Sequence, residues 1–180
     1  MRITGGLLGS RSVLGPSRGA PLRPTPDALR EQAFGVLTPY LDGAVFLDLF
    51  AGTGVVSLEA LSRGAARVVL CEQAAVAQAL IRRNFATIGI SREAWELHPG
   101  PVERALPRLA TGGVRATLAW CDPPFADWDQ GLTALSLARD LGVLAPGCRV
   151  VVELPPKREL QLPGFESIRT LRGAVLLRTI

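Results

Sequence analysis

Short apolar runs and amphipathic stretches take turns along the middle of the 180-residue chain. Ala44 to Leu49, Arg67 to Cys71 and Ala116 to Cys121 read as buried strands, and Trp95 to His98 as a weaker one. Val55 to Arg63, Ala74 to Ile88, Val102 to Leu109 and Gly131 to Leu141 carry helical periodicity, the first two closed by Gly64 and Gly89. After a turn at Ala145-Pro146-Gly147, Arg149 to Leu154 predicts one more strand of the parallel kind. Strands alternating with helices predict an α/β fold, a mostly parallel sheet covered on both faces. The tail changes rhythm: Phe165 to Leu171 and Ala174 to Thr179, joined at Arg172-Gly173, predict an antiparallel hairpin.

The first 24 residues are rich in Gly, Ser, Pro and Arg, and suggest a small hairpin or a loose arm. Thr25 or Asp27 is placed to cap a helix running to about Leu37, with Leu29, Ala33, Phe34 and Leu37 on one face. This divides the chain into an N-terminal arm and helix, residues 1–42, and a main domain, residues 43–180.

Composition adds a packed core and a basic balance. Apolar residues make up 48% and charged residues 20%. No apolar run approaches the ~20 residues of a membrane helix, and the N-terminus lacks the apolar stretch of a signal peptide. A cytoplasmic protein is expected. Net charge is +4, and Lys157 is the only lysine. An arginine bias suits an RNA partner through phosphate pairing and base stacking; a GC-rich genome gives the same bias. Five arginines lie in residues 1 to 30 (Arg2, Arg11, Arg18, Arg23, Arg30) against one acid, Asp27. Cys71, Cys121 and Cys148 show no disulfide or metal spacing, and are read as buried thiols; no metal is expected.

Two motifs carry chemistry. Phe46 to Gly54 passes from a strand into a helix through Gly52 and Gly54, a turn that lets a ligand approach the backbone closely. Glu72 closes the next strand, about 20 residues on, where an acid accepts ribose hydroxyls. Glycines alone fit a dinucleotide as well. Asp48 favours a ligand with a cationic amino-acid end, S-adenosylmethionine, over one with a pyrophosphate. Asp122-Pro123-Pro124-Phe125 follows the Ala116 to Cys121 strand. Two prolines stiffen the backbone there and remove two N–H donors. Asp122 and the Pro123 carbonyl can accept the two hydrogens of an exocyclic amine, and Phe125 offers a flat face to an unstacked base.

Together these residues resemble the bacterial small-subunit ribosomal RNA guanine-N2 methyltransferases, a branch of the Rossmann-like class I methyltransferases. Further carriers are Met1-Arg2-Ile3, Arg23-Pro24-Thr25, Arg30-Glu31, Leu58 to Ala65 and Asn84. The resemblance implies a seven-stranded sheet with an antiparallel last strand and a small N-terminal extension. It implies S-adenosylmethionine as donor, held by Thr25, Asp48, Phe50, Ala51, Gly52, Gly54, Glu72, Gln73 and Val102. Asp122, Pro123, Pro124 and Phe125 would do the chemistry, and Arg2, Arg11, Arg23 and Arg30 would hold RNA. The partner would be 16S ribosomal RNA or the 30S particle, met by a monomer. The chain departs from the family where an acid follows the third strand: here stands His98-Pro99-Gly100-Pro101. Amino methylation of adenine or glutamine, a nicotinamide-dependent oxidoreductase, and a non-catalytic RNA-binding factor are the competing readings.

Overall fold

The computed structural model describes residues 1–16 and 25–180. Seven strands form one sheet: β1 (Val45–Asp48), β2 (Arg67–Glu72), β3 (Trp95–Pro99), β4 (Ala116–Cys121), β5 (Leu144–Glu153), β6 (Phe165–Leu171) and β7 (Ala174–Thr179). Their order across the sheet is β3-β2-β1-β4-β5-β7-β6. The strands from β3 to β5 run parallel, and β7 runs antiparallel to both β5 and β6. Chain order reverses between β1 and β4, the kind of switch point at which open α/β sheets bind ligands.

Helices α1 (Asp27–Leu37), α2 (Val55–Ser62) and α3 (Ala75–Ile88) cover one face; α4 (Val102–Thr111) and α5 (Trp128–Asp140) cover the other. The sheet residues alternate accordingly. Phe46, Val68, Leu118, Trp120 and Val151 pack with the first group, while Leu47, Val69, Ala119, Cys121 and Val152 pack with the second. Both faces are thus apolar, which is why these strands read as continuous apolar runs.

Most element ends shift by a residue or two, and three differences from the sequence expectation are larger. β5 starts at Leu144, and Pro146 and Gly147 lie inside it as a bulge against β4 rather than as a turn before the strand. α5 starts at Trp128, a turn earlier than Gly131. α1 has Pro26 at its N-cap and no side-chain cap. Asp27 pairs instead with Arg30 at 3.0 Å, and Thr25 turns towards Asp122.

The described part of the arm forms a small hairpin, with Ile3 N–H donating to the Arg11 carbonyl and Val13 N–H to that of Met1. Ile3 and Val13 are buried in the same core as α1, α2 and β1. The tether is the stretch from Glu59 of α2 to Arg63, the residue that caps its end. Glu59 is fully buried and accepts from the Thr4 amide at 2.8 Å and from Arg63 at 2.8 Å. Ser62 donates its hydroxyl to the Gly5 carbonyl and accepts from the Leu8 amide. Gly6, at φ 77°, passes so close that a Cβ would lie 2.0 Å from the Ser62 carbonyl oxygen.

Candidate active site

The carboxyl ends of β1, β2, β4 and β5 open on one cavity of about 1140 Å³. Thr25, Asp48, Phe50, Ala51, Gly52, Glu72, Gln73, Val102 and Asp122 to Phe125 all line it, so the two motifs meet in space. Gly54 stands behind this wall. It is the N-cap of α2 at φ 76°, and a Cβ there would lie 3.0 Å from the Phe85 ring. Its role is to let the loop turn into the helix over α3.

The loop between β1 and α2 is held by side chains from its own floor. Ser57 donates to Asp48 Oδ2 at 2.8 Å, and Glu72 accepts from the Gly52 and Ala74 amides, each at 2.8 Å. Asn84 donates to the Thr53 carbonyl at 2.9 Å and to the Leu14 carbonyl at 3.1 Å, linking the loop to the arm. Glu72 therefore stands at the end of β2 with its carboxylate already oriented by two backbone donors.

Asp122 leaves β4 directly into Pro123-Pro124, and Phe125 stands at the rim, 48% exposed. The bend is seated on α5: a Cβ on Gly131 would come 2.4 Å from Pro123 Cγ. Thr25 Oγ1 lies 3.5 Å from Asp122 Oδ2 and brings the start of α1 to the same spot. A rigid acceptor pair beneath an accessible aromatic face can grip a planar base and its amine.

The charge of the cavity decides between ligands. Among the described residues its walls carry the acids Asp48, Glu72, Glu103, Asp122 and Glu153 against a single arginine, Arg172. Burial pushes the Asp48 carboxyl up to about 7, with Asp122 and Glu72 adding to the rise and the Ser57 hydroxyl opposing it. Burial also raises Asp122, against hydrogen bonds from Glu153 and Thr25, and raises Glu153, with Asp122 adding to it. Such crowding penalises a pyrophosphate and favours a ligand that brings positive charge. The sulfonium and ammonium of S-adenosylmethionine fit these walls; a nicotinamide dinucleotide does not. The thiols are held protonated. Burial pushes Cys71 and Cys148 up to about 12 and Cys121 well above its ordinary value.

Among the cavity residues that the sequence motifs do not point to, Glu153, Trp120 and Glu103 carry polar groups. Glu153 ends β5 as Asp48 and Glu72 end β1 and β2, and that shared position was the available signal. Trp120 precedes Asp122 at the Cys121 step and was read only as core. Glu103, in the first turn of α4, puts an acid on the wall two residues beyond Pro101, in the stretch where this chain lacks the acid expected after the third strand.

The basic arm divides. Arg2 and Arg11 lie on the surface, Arg11 donating to the Ile88 carbonyl at 3.0 Å. Arg23 lies outside the described residues. Arg30 corrects the expectation of an RNA contact. Its side chain is fully buried, donating to the carbonyls of Thr25 (2.6 Å) and Arg2 (2.7 Å) and lying 3.8 Å from Glu59. The guanidinium is spent on fixing the arm and the residue ahead of α1, and has no face left for phosphate.

The sequence profile of the family described as conserved hypothetical protein 95 matches residues 1–174. Ribosomal RNA small subunit methyltransferase D of Escherichia coli K12 is 38% identical over 85% of this chain and 74% of its own length. The Bacillus subtilis protein YlbH is 32% identical over 91% of this chain and 86% of its own. Among solved structures, yhhF from Escherichia coli superposes with a TM-score of 0.84 at 28% identity, covering 99% of this chain and 97% of that one.

Proposed function

The chain belongs to the conserved hypothetical protein 95 family, and from that membership and its acid-walled cavity we propose that it transfers a methyl group from S-adenosylmethionine to the exocyclic N2 amine of a guanine in 16S ribosomal RNA. The observation that carries the reading is the meeting of Asp48, Glu72 and Asp122 at the carboxyl ends of three parallel strands.

S-Adenosylmethionine supplies an electrophilic methyl group on a sulfonium. Gly52 and Ala51 let its amino-acid end lie against the backbone, with Asp48 beneath. Glu72 receives the ribose hydroxyls and Gln73 flanks them. The Val102 amide and the Glu103 carboxylate face the adenine. Phe125 stacks on the target base. Asp122 and the Pro123 carbonyl accept the N2 hydrogens, which draws the nitrogen lone pair out of ring conjugation and aims it at the methyl. N2 gains the new N–C bond as the C–S bond breaks, and Asp122 takes the proton that N2 then sheds. Positioning and exclusion of water supply most of the rate.

Arg2 and Arg11, exposed on the arm, would meet RNA phosphates. We take the working form to be a cytoplasmic monomer acting on small-subunit RNA or the 30S particle; sedimentation should then return the 19.1 kDa of one chain, and twice that would overturn the monomer. Among the described residues no helix is long and apolar enough to cross a membrane. The test is transfer of labelled methyl to undermethylated small subunits. Wild-type protein labels the RNA; Asp122→Ala binds the donor but labels about a hundredfold more slowly or less. Equal labelling by the two proteins removes Asp122 from the chemistry.

A further inference from the structure

Asp122 has a neighbour that the mechanism above does not use. In the β4–β5 ladder Cys121 pairs with Val152. The next residues on each strand, Asp122 and Glu153, therefore emerge side by side on one face of the sheet. It is the face of Trp120 and Val151, covered by α1. Both carboxyls line the cavity.

Glu153 is 8% exposed, and its Oε1 is buried without a hydrogen-bond partner. The Trp120 indole N–H, 1% exposed, also lacks a partner at full hydrogen-bond geometry; it and the Thr25 hydroxyl are the neighbours that draw on the Glu153 carboxyl, and neither closes a hydrogen bond to Oε1. Buried polar atoms are nearly always satisfied, so a free acceptor on a cavity wall marks where a ligand donor belongs. The backbone around Glu153 is fixed: Trp128 donates its indole N–H to the Glu153 carbonyl at 3.1 Å. The side chain thus projects from a held point, one strand away from the acceptor assigned to the amine.

Guanine presents two donors side by side on one edge, the N2 amine and N1–H. Two adjacent carboxylates match that edge. Adenine, cytosine and 2-aminopurine also carry an exocyclic amine, but the ring nitrogen beside it is an acceptor, which a carboxylate repels. We propose that Glu153 accepts N1–H of the target guanine while Asp122 accepts from N2, making Glu153 the residue that selects guanine. This rests on the guanine-N2 reading above and adds to it the group that reads the base. Base donors and a sulfonium beside the pair favour the ionised carboxyls needed for acceptance.

The experiment uses small subunits reconstituted with RNA carrying either guanine or 2-aminopurine at the methylated position. Both have an amine at C2, and they differ at N1 and C6. Labelled methyl transfer is measured with wild-type protein and Glu153→Gln. Wild type should prefer guanine by about tenfold to a hundredfold in kcat/KM, the effect of one charge-assisted hydrogen bond replaced by a repulsion. Glu153→Gln, whose amide can donate to an unprotonated N1, should slow on guanine and bring the two substrates within about threefold. Equal use of both RNAs by wild type overturns the proposal. So does a Gln variant that slows on both alike, because a merely structural role lowers both rates and leaves their ratio. If the Gln variant fails to fold, Glu153→Asp keeps a carboxylate: retained preference for guanine supports the proposal, and lost preference overturns it. Wild type that binds donor yet methylates neither RNA brings down the guanine-N2 reading itself, and this inference with it.

Discussion

Replacing Glu59 by glutamine removes one buried charge and keeps the side chain's shape. Glu59 and Arg30 are both fully buried, and Arg63 beside them is mostly so. The variant leaves Arg30 with Asp27 and two carbonyls, and weakens the acceptor of the Thr4 amide and hydroxyl. Breaking a buried pair costs about 3–5 kcal/mol. The partners Arg30 keeps put this case near the lower end, about 3 kcal/mol. A domain of this size has about 5–15 kcal/mol in all and loses about 2–4 °C of Tm per kcal/mol. The melting point should therefore fall by roughly 6–12 °C. The Thr4 amide should also exchange with solvent much faster. Glu96→Gln is the control. Its pair with Arg67 is about two-fifths exposed on each side, and exposed pairs contribute about 1 kcal/mol or less. Both proteins are melted by circular dichroism and followed by hydrogen exchange. A Glu59→Gln melting point no lower than that of Glu96→Gln would refute the idea that a buried charge network anchors the arm.

Asp48 makes the donor-free protein less stable as pH rises. Its folded-state value of about 7 lies above its ordinary 3.8, so its contribution is intact below about 4 and is lost as pH climbs through about 7. Denaturant unfolding from pH 5 to 8 should show that decline, and Asp48→Asn should make it shallower, leaving the share that Asp122 and Glu153 add, while weakening donor binding in calorimetry; an unchanged slope would sink the assignment. Gly131→Ala drives a Cβ into the Pro123 ring. It should cost about 1–3 kcal/mol of stability and lower kcat at least tenfold or so, with donor affinity nearly unchanged. A wild-type kcat would show that the bend needs no such seat.

Much of this was legible because a sheet buried on both faces writes itself as apolar runs. β4, β6 and β7 coincide with their runs, and Asp48, Glu72 and Asp122 announce themselves by closing strands. What the sequence hid was whatever depends on distant partners. Pro146-Gly147 reads as a turn, yet pairing with β4 draws it into β5 as a bulge. Arg30 reads as one more cation of a basic arm, because its buried acid, Glu59, lies on another helix. Glu153 closes Val150-Val151-Val152 as plainly as Asp48 closes its own strand, but its meaning came only from the register that sets it beside Asp122. Leu58 to Ala65, first singled out by resemblance, gains a physical reason: it is the strap that holds the arm.

Methyl transfer to guanine N2 is decided by identifying the product nucleoside. Undermethylated small subunits are incubated with wild-type protein and labelled S-adenosylmethionine, and the RNA is digested and resolved by mass spectrometry. Label should appear in N2-methylguanosine alone, at one position of the small-subunit RNA, and almost none with Asp122→Ala. Label in methyladenosine, in methylated protein, or in no product despite donor binding would contradict it.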